Sequence, residues 1–456
     1  MQILLKGGRL IDPVTGRDEA VDFHVVHGRI ERMGQNLSAP ASQVIDLRGK
    51  VVAPGFFDMH VHFREPGFEY KETIESGCAA AAAGGFTGVA CMPNTNPPID
   101  DESVIRFIQA RARAALNGLV DVHPIAAVTA GRKGEHLSPL AELAAAGAVG
   151  FSDDGDPVHS AEIMRRALEY SAMFDRPVIQ HAQDPSMTKG AVMHEGFVAT
   201  TLGLAGWPDV AEEIMVVRDI RLAEYTGGRY HVAHVSAASS VDHVRKAKAR
   251  GARVSCEVTP HHFTLTDEVV RSYDTNTKMN PPLRTATDIE AIKEGLKDGT
   301  IDAIATDHAP HSFDEKEVEY SAAPFGIVGL ETAVGLTLTE LFRKNVLSLH
   351  EIVRKLSTNP RRILRLPEIR IEEGEMANLT MLDPNAEWVV DPTVFRSRSR
   401  NTQFGGASSR AARLACSTTG RCSGGMSGCP DGRLPGPASV LNRGRVLSGK
   451  DGPPGI

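Results

Sequence analysis

Hydrophobic and polar positions change rhythm more than once along the 456 residues. Residues 1–52 run in short pieces of period-two alternation broken by glycine (ILLKGGRLID, VDFHVVHGRIERMG, QVIDLRGKVVAPG), which predicts a small antiparallel β unit. After Gly55 short apolar runs take over: FFDMHVHF, FTGVACMPN, DVHPIAAV, AVGFSDD, PVIQHAQD, YHVAHVS, RVSCEVTPHH and IDAIATDH. Segments such as SVIRFIQARARAAL and SAEIMRRALEYSAMF lie between them, with apolar residues at helical spacing. Eight such alternations predict an α/β fold, a (β/α)8 TIM barrel over residues 53–366. From 367 the pattern is β-like again (EIRIEEGEMANLTMLDP, EWVVDP). Residues 367–446 are therefore expected to join 1–52 in a small β-sandwich-like domain built from both chain ends.

Beyond residue 406 the chain becomes rich in glycine and proline, holds no aromatic residue and carries Cys416, Cys422 and Cys429. That composition predicts little packed structure, and 447–456 is expected to be a flexible tail. One stretch, ASVLNRGRVLSG, keeps a strand and turn pattern.

Composition narrows the function class. Hydrophobic residues make up 41% and charged residues 23%, ordinary values for a globular protein with a sizeable core. A formal charge of -7 offers no basic face for nucleic acid or an anionic membrane, so a small-molecule substrate is the expectation. The opening MQILLKGGRL meets glycine too soon for a signal peptide and no long apolar run follows, which predicts a cytoplasmic protein. Cys78, Cys91 and Cys256 sit in apolar or strand-like surroundings without a CxxC pair, and are expected to be reduced, buried thiols.

Candidate chemistry gathers at the ends of the predicted strands, where a barrel of this kind places its active site. His60 and His62 are two residues apart at the end of the first strand, so their side chains share a face. Asn94 follows strand two, Asp153 and Asp154 end strand four, His181 strand five and His234 strand six. Asn280 follows strand seven, and Asp307 with His308 ends strand eight. Four imidazoles with two carboxylates suit one or two zinc-like ions with a position left for water. Such an ion lowers the pKa of bound water and polarises a carbonyl oxygen, so hydrolysis of an amide or cyclic amide follows. Asp153 and Asp154 point apart in extended chain, so one of the two is the ligand. Arg64, just past His62, offers a planar fork for a substrate carboxylate. His123, His194, His231, His261 and His262 have no place in this set and are expected to be structural.

The phrases HVHFREPG, MPNTNPP, FSDDG, HAQD, AHVS, TPHH, KMNPPLR, ATDHAPH and PFGIVGLET, in this order, resemble the type I dihydroorotases of the amidohydrolase superfamily over residues 1 to about 406. The resemblance implies zinc-dependent, reversible opening of (S)-dihydroorotate to N-carbamoyl-L-aspartate in pyrimidine synthesis. It implies His60, His62, Asp154, His181, His234 and Asp307 as metal ligands, with Asp154 bridging two ions and Asp307 shuttling the proton. It further implies substrate contacts from His62, Arg64, Asn94, Asn280, His311, Phe325 and Gly326. A homodimer and a complex with aspartate transcarbamoylase are the partner states it brings with it.

Two other readings share this fold. Allantoinases and hydantoinases open related rings, but many use a carboxylated lysine as the bridge, which the fourth strand lacks, and their substrates lack the carboxylate that Arg64 would bind. An inactive scaffold beside aspartate transcarbamoylase would be expected to lose metal ligands, and none is lost here. The resemblance stops after RSRNTQFGGA, where a lineage-specific tail and a shifted reading frame are both compatible with the composition.

Overall fold

A computed structural model describes residues 2–41, 43–406, 411–413, 438–442 and 445–447. The barrel opens with Phe56–Val61, which pairs in parallel with Phe86–Cys91, and that strand with Asp121–Pro124. The fourth position is thin. Phe151 bridges Ala126 on one side and Val178 on the other, and the Val149 and Ser152 amides donate to the Pro124 and Ala126 carbonyls beside it. Pro177–Gln180, Arg229–Val232, Val254–Val258 and Ala303–Ile304 continue the parallel order. A bridge from Val61 to His308 closes the ring, reinforced by the His62 amide donating to the His308 carbonyl at 2.9 Å.

Helices cover the outside. Ile74–Ala83 starts at a capping box between Thr73 and Ser76, and Ala286–Asp298 at one between Thr285 and Asp288, which satisfy amides the first turn leaves free. Between strands and helices lies the main core, with Phe56, Phe86, Phe151, Met164, Tyr230 and Phe263 buried in it. A second cluster draws Phe57, Met59, Ala90, Ile125, Val149, Ile179, Ala233 and Ala303 from every barrel strand except the seventh. It is the filled interior layer of a closed barrel. The seventh strand brings Glu257 instead, a fully buried carboxylate.

The smaller domain is one sheet from both halves of the chain. Gln2–Asp12 pairs with Arg17–Val26, Gln43–Asp46 and Val51–Pro54, and Arg29–Gly34 extends the Arg17–Val26 side. Asn378–Leu382 lies antiparallel to Val51–Pro54, and Ala438–Asn442 and Arg445–Leu447 follow it outward. The strand expected in ASVLNRGRVLSG is thus present, while the turn at 443–444 lies outside the described residues. The tail expected at 447–456 lies outside the described residues except for Leu447. Among the described residues Cys78, Cys91 and Cys256 are free and buried, and no helix is long and apolar enough to cross a membrane.

Candidate metal centre and active site

Six side chains from five strand ends meet in one buried space. His60 and His62 bring their rings to 5.5 Å between centroids, and His60 lies 5.1 Å from His234. Asp154 is central. Its Oδ1 is 3.4 Å from His60 Nε2 and 3.7 Å from both His181 Nδ1 and His234 Nε2, while Oδ2 is 3.5 Å from His62 Nε2. Asp307 closes the other side, with Oδ1 2.9 Å from His62 Nε2 and 3.6 Å from His60 Nε2. The neighbouring Asp153 turns away and accepts from the Thr129 amide at 3.0 Å and from its hydroxyl.

This arrangement fits cations. Asp154 Oδ1 and His60 Nε2 are buried and make no hydrogen bond, although they lie side by side. A buried carboxylate oxygen without a donor is costly unless a positive charge satisfies it. Two ligand groups can be drawn, His60 with Asp154 and His234, and His60 with His62 and Asp307. Burial opposes charge on His60, yet the Asp154 and Glu257 carboxylates lift its pKa well above the ordinary imidazole value. Burial likewise disfavours ionised Asp154, but His60, His181 and His234 hold it well below the usual carboxylate range. The site is therefore built to keep its acids ionised.

The candidate ligands are themselves held. His60 Nδ1 donates to Glu257 Oε1 at 2.6 Å, with His231 Nε2 3.4 Å from Glu257 Oε2 behind it. His62 Nδ1 donates to Asn94 Oδ1 at 2.7 Å, and His181 Nε2 is 2.9 Å from Gln183 Oε1. Asn94 therefore aims His62 as well as standing at the mouth. Glu257 and Gln183 were not singled out from the sequence; the signal for Glu257 was a lone carboxylate inside VSCEV. His231 and His262 take structural places, the latter between Thr259 Oγ1 at 2.7 Å and the Pro281 carbonyl at 3.0 Å.

At the mouth, Arg64 donates through Nε to the Pro310 carbonyl at 3.3 Å, and no described residue accepts from its two terminal nitrogens. Asn280 donates to Gln183 Oε1 at 3.3 Å and leaves Oδ1 buried without a partner. His311 Nε2 donates to the Phe325 carbonyl at 2.9 Å, and Gly326 follows with φ +101°. A Cβ on Gly326 would approach Ala309 Cβ to 2.6 Å, so only glycine fits. Arg64, His234 and Asp307 also have positive φ (59°, 31° and 48°), a conformation that costs energy for a residue with a side chain.

Residues 49–240 match the family model described as dihydro-orotase-like, and residues 205–409 match that of the amidohydrolase family. A protein of Pelotomaculum thermopropionicum named dihydroorotase is 55% identical over 406 residues, 89% of this chain and 94% of its own length. A dihydroorotase of Pelobacter propionicus is 51% identical over 422 residues, 92% of this chain and 99% of its own. The chain belongs to the dihydroorotase family. As a dihydroorotase-family member it is a cyclic amide hydrolase of the amidohydrolase superfamily, and the hydantoinase reading of the sequence is not favoured. Its fold is that of the L-hydantoinase of Arthrobacter aurescens, with a TM-score of 0.82 at 23% identity, covering 100% of this chain and 97% of that one. A dihydropyrimidinase of Brevibacillus agri matches at 0.79 and 19% identity, covering 98% and 95%. The TIM barrel with a small β domain read from the sequence is therefore the observed architecture.

Proposed function

We propose that the chain opens the ring of (S)-dihydroorotate reversibly to N-carbamoyl-L-aspartate, using two zinc ions held by His60, His62, Asp154, His181, His234 and Asp307. The observation that carries this reading is the convergence of these six groups around a buried carboxylate oxygen and an imidazole nitrogen that bond to nothing else. Zinc bound there supplies a Lewis acid for the ring carbonyl and activates water for attack. Asp154, with one oxygen toward His60, His181 and His234 and the other toward His62, would hold the ions together with these histidines.

The chain's own residues do the rest. Arg64 binds the substrate carboxylate in its free fork, with Asn94 beside it. Asn280, His311 and the backbone at Phe325 and Gly326 hold the ring amides. Asp307 accepts the proton of the attacking water and returns it to the ring nitrogen as the carbon–nitrogen bond breaks. The proposed assembly is a homodimer in the cytoplasm, with a complex with aspartate transcarbamoylase as the alternative; sedimentation with and without that enzyme separates them.

The test is hydrolysis of dihydroorotate by purified protein, with allantoin and hydantoin in parallel and metal content measured on the same sample. Selective turnover of dihydroorotate with about two zinc per chain is expected, and Asp307→Asn should lose turnover while keeping most of its metal. Full activity in that variant would remove Asp307 from the proton path.

A further inference from the structure

The segment from His311 to Gly326 carries three of the proposed substrate contacts, yet its only regular structure is the short helix Phe313–Lys316. Two residues outside it hold both of its flanks. Asn401, buried in the stretch that follows the small domain's Asn378–Leu382 strand, accepts from the His311 amide through Oδ1 at 3.1 Å. Its Nδ2 donates to the carbonyls of Ala309 at 3.0 Å and Gly326 at 3.2 Å, and its own carbonyl accepts from the Val328 amide at 2.9 Å. One side chain thus ties the beginning of the segment to its end.

Lys278 holds the second half of the segment. Its buried Nζ donates to the carbonyls of Ser321 at 2.9 Å and Ala323 at 2.7 Å and stands 4.6 Å from the Phe325 ring centroid, and its carbonyl accepts from the Gly326 amide at 2.8 Å. A lysine spent wholly on backbone carbonyls two residues before Asn280 has no part in the proton path or the metal set.

We infer that Asn401 and Lys278 form a two-sided clasp, and that they are positioning residues which set where His311, Phe325 and Gly326 meet the substrate. This rests on the reading of those three residues as substrate contacts. The clasp makes Asn401 a support of the active site, although it stands about ninety residues along the chain from the segment it holds. Freed of either tie, the segment would sample positions an ångström or more away, enough to cost roughly 10- to 100-fold in productive binding.

Asn401→Ala and Lys278→Met are compared with the parent for KM and kcat with dihydroorotate, zinc content, and hydrogen exchange of peptides covering 309–328. Each variant is expected to raise KM about 10-fold or more with kcat changed less and zinc retained, and to speed exchange in 309–328 alone. Asn401→Asp keeps the acceptor for the His311 amide but loses both donors, so it should fall between parent and Asn401→Ala. Unchanged exchange and unchanged KM would overturn the clasp. Faster exchange with unchanged KM would overturn instead the reading of the segment as a substrate contact, and the positioning role with it. Where Asn401→Ala does not fold, Lys278→Met and Asn401→Asp carry the same comparison.

Discussion

Removing the carboxylate behind His60 isolates the contribution of the supporting shell to metal binding. Glu257 is fully buried, accepts from His60 Nδ1 at 2.6 Å, and has its pKa held down to about 2; burial opposes this, but His60 and His231 prevail. A hydrogen bond between groups carrying charge contributes roughly 1.5–3 kcal/mol, and its loss leaves the Nδ1–H buried without an acceptor. If that energy is what fixes the His60 ring with Nε2 toward the metals, Glu257→Leu should weaken zinc about 10- to 150-fold. Glu257→Gln, which keeps an oxygen in place, should cost less than about 10-fold. The assay is competition for zinc against a chelator of known affinity, with urea unfolding to confirm that both variants are folded. Parental zinc affinity in a folded Glu257→Leu variant would refute the reasoning. Equal losses in both variants would show that charge, and not the oriented hydrogen bond, does the holding.

Other outcomes follow from single contacts. Arg64→Met deletes a guanidinium whose terminal nitrogens are free for a carboxylate, and should cut kcat/KM for dihydroorotate about 100-fold or more while zinc content stays at the parental level. Burial pushes the thiols of Cys91 and Cys256 up to about 12 and Cys78 higher still, so mass spectrometry after iodoacetamide at pH 8 should find these three alkylated only when the chain is unfolded first. Burial, helped by His261, holds His262 well below the ordinary imidazole pKa, so below about pH 6.5 the unfolded chain takes up a proton that the folded one refuses. Stability should therefore fall as pH falls, and His262→Gln should flatten that slope between pH 6 and 5 by about one proton, ~1.4 kcal/mol per pH unit, in urea titrations.

Local chemistry was legible in the sequence where neighbours in the chain are neighbours in space. The barrel strands could be read from their apolar runs, and His60, His62, the Asp153–Asp154 pair, His181, His234 and Asp307 stood out because each ends such a run, the choice of Asp154 coming from the family resemblance. The fourth position, read as a strand in the letters, keeps backbone bonds to both neighbours through 149–152, with Phe151 as its bridging residue. Glu257 and Asn401 were not legible. Glu257 acts on a residue 197 positions away and Asn401 on one 90 away, and nothing periodic in the chain marks such a partnership. Asn94 was read only as a substrate contact, because its hydrogen bond to His62 depends on how the second strand end leans toward the first.

The sheet of the small domain has a consequence for the order in which the protein comes into being. The amide of Phe56 bonds to Thr380 across 324 residues, and Val51–Pro54, beside Gln2–Asp12 on one edge, finds its second neighbour only in Asn378–Leu382. During synthesis the first strands therefore leave the ribosome with an unpaired edge and wait for nearly the whole barrel to be made. The barrel can close by adding each strand to the one before it, so it is expected to fold first, with the two chain ends docking last. Any change that slows translation through the barrel would lengthen the time during which that edge is open to other chains.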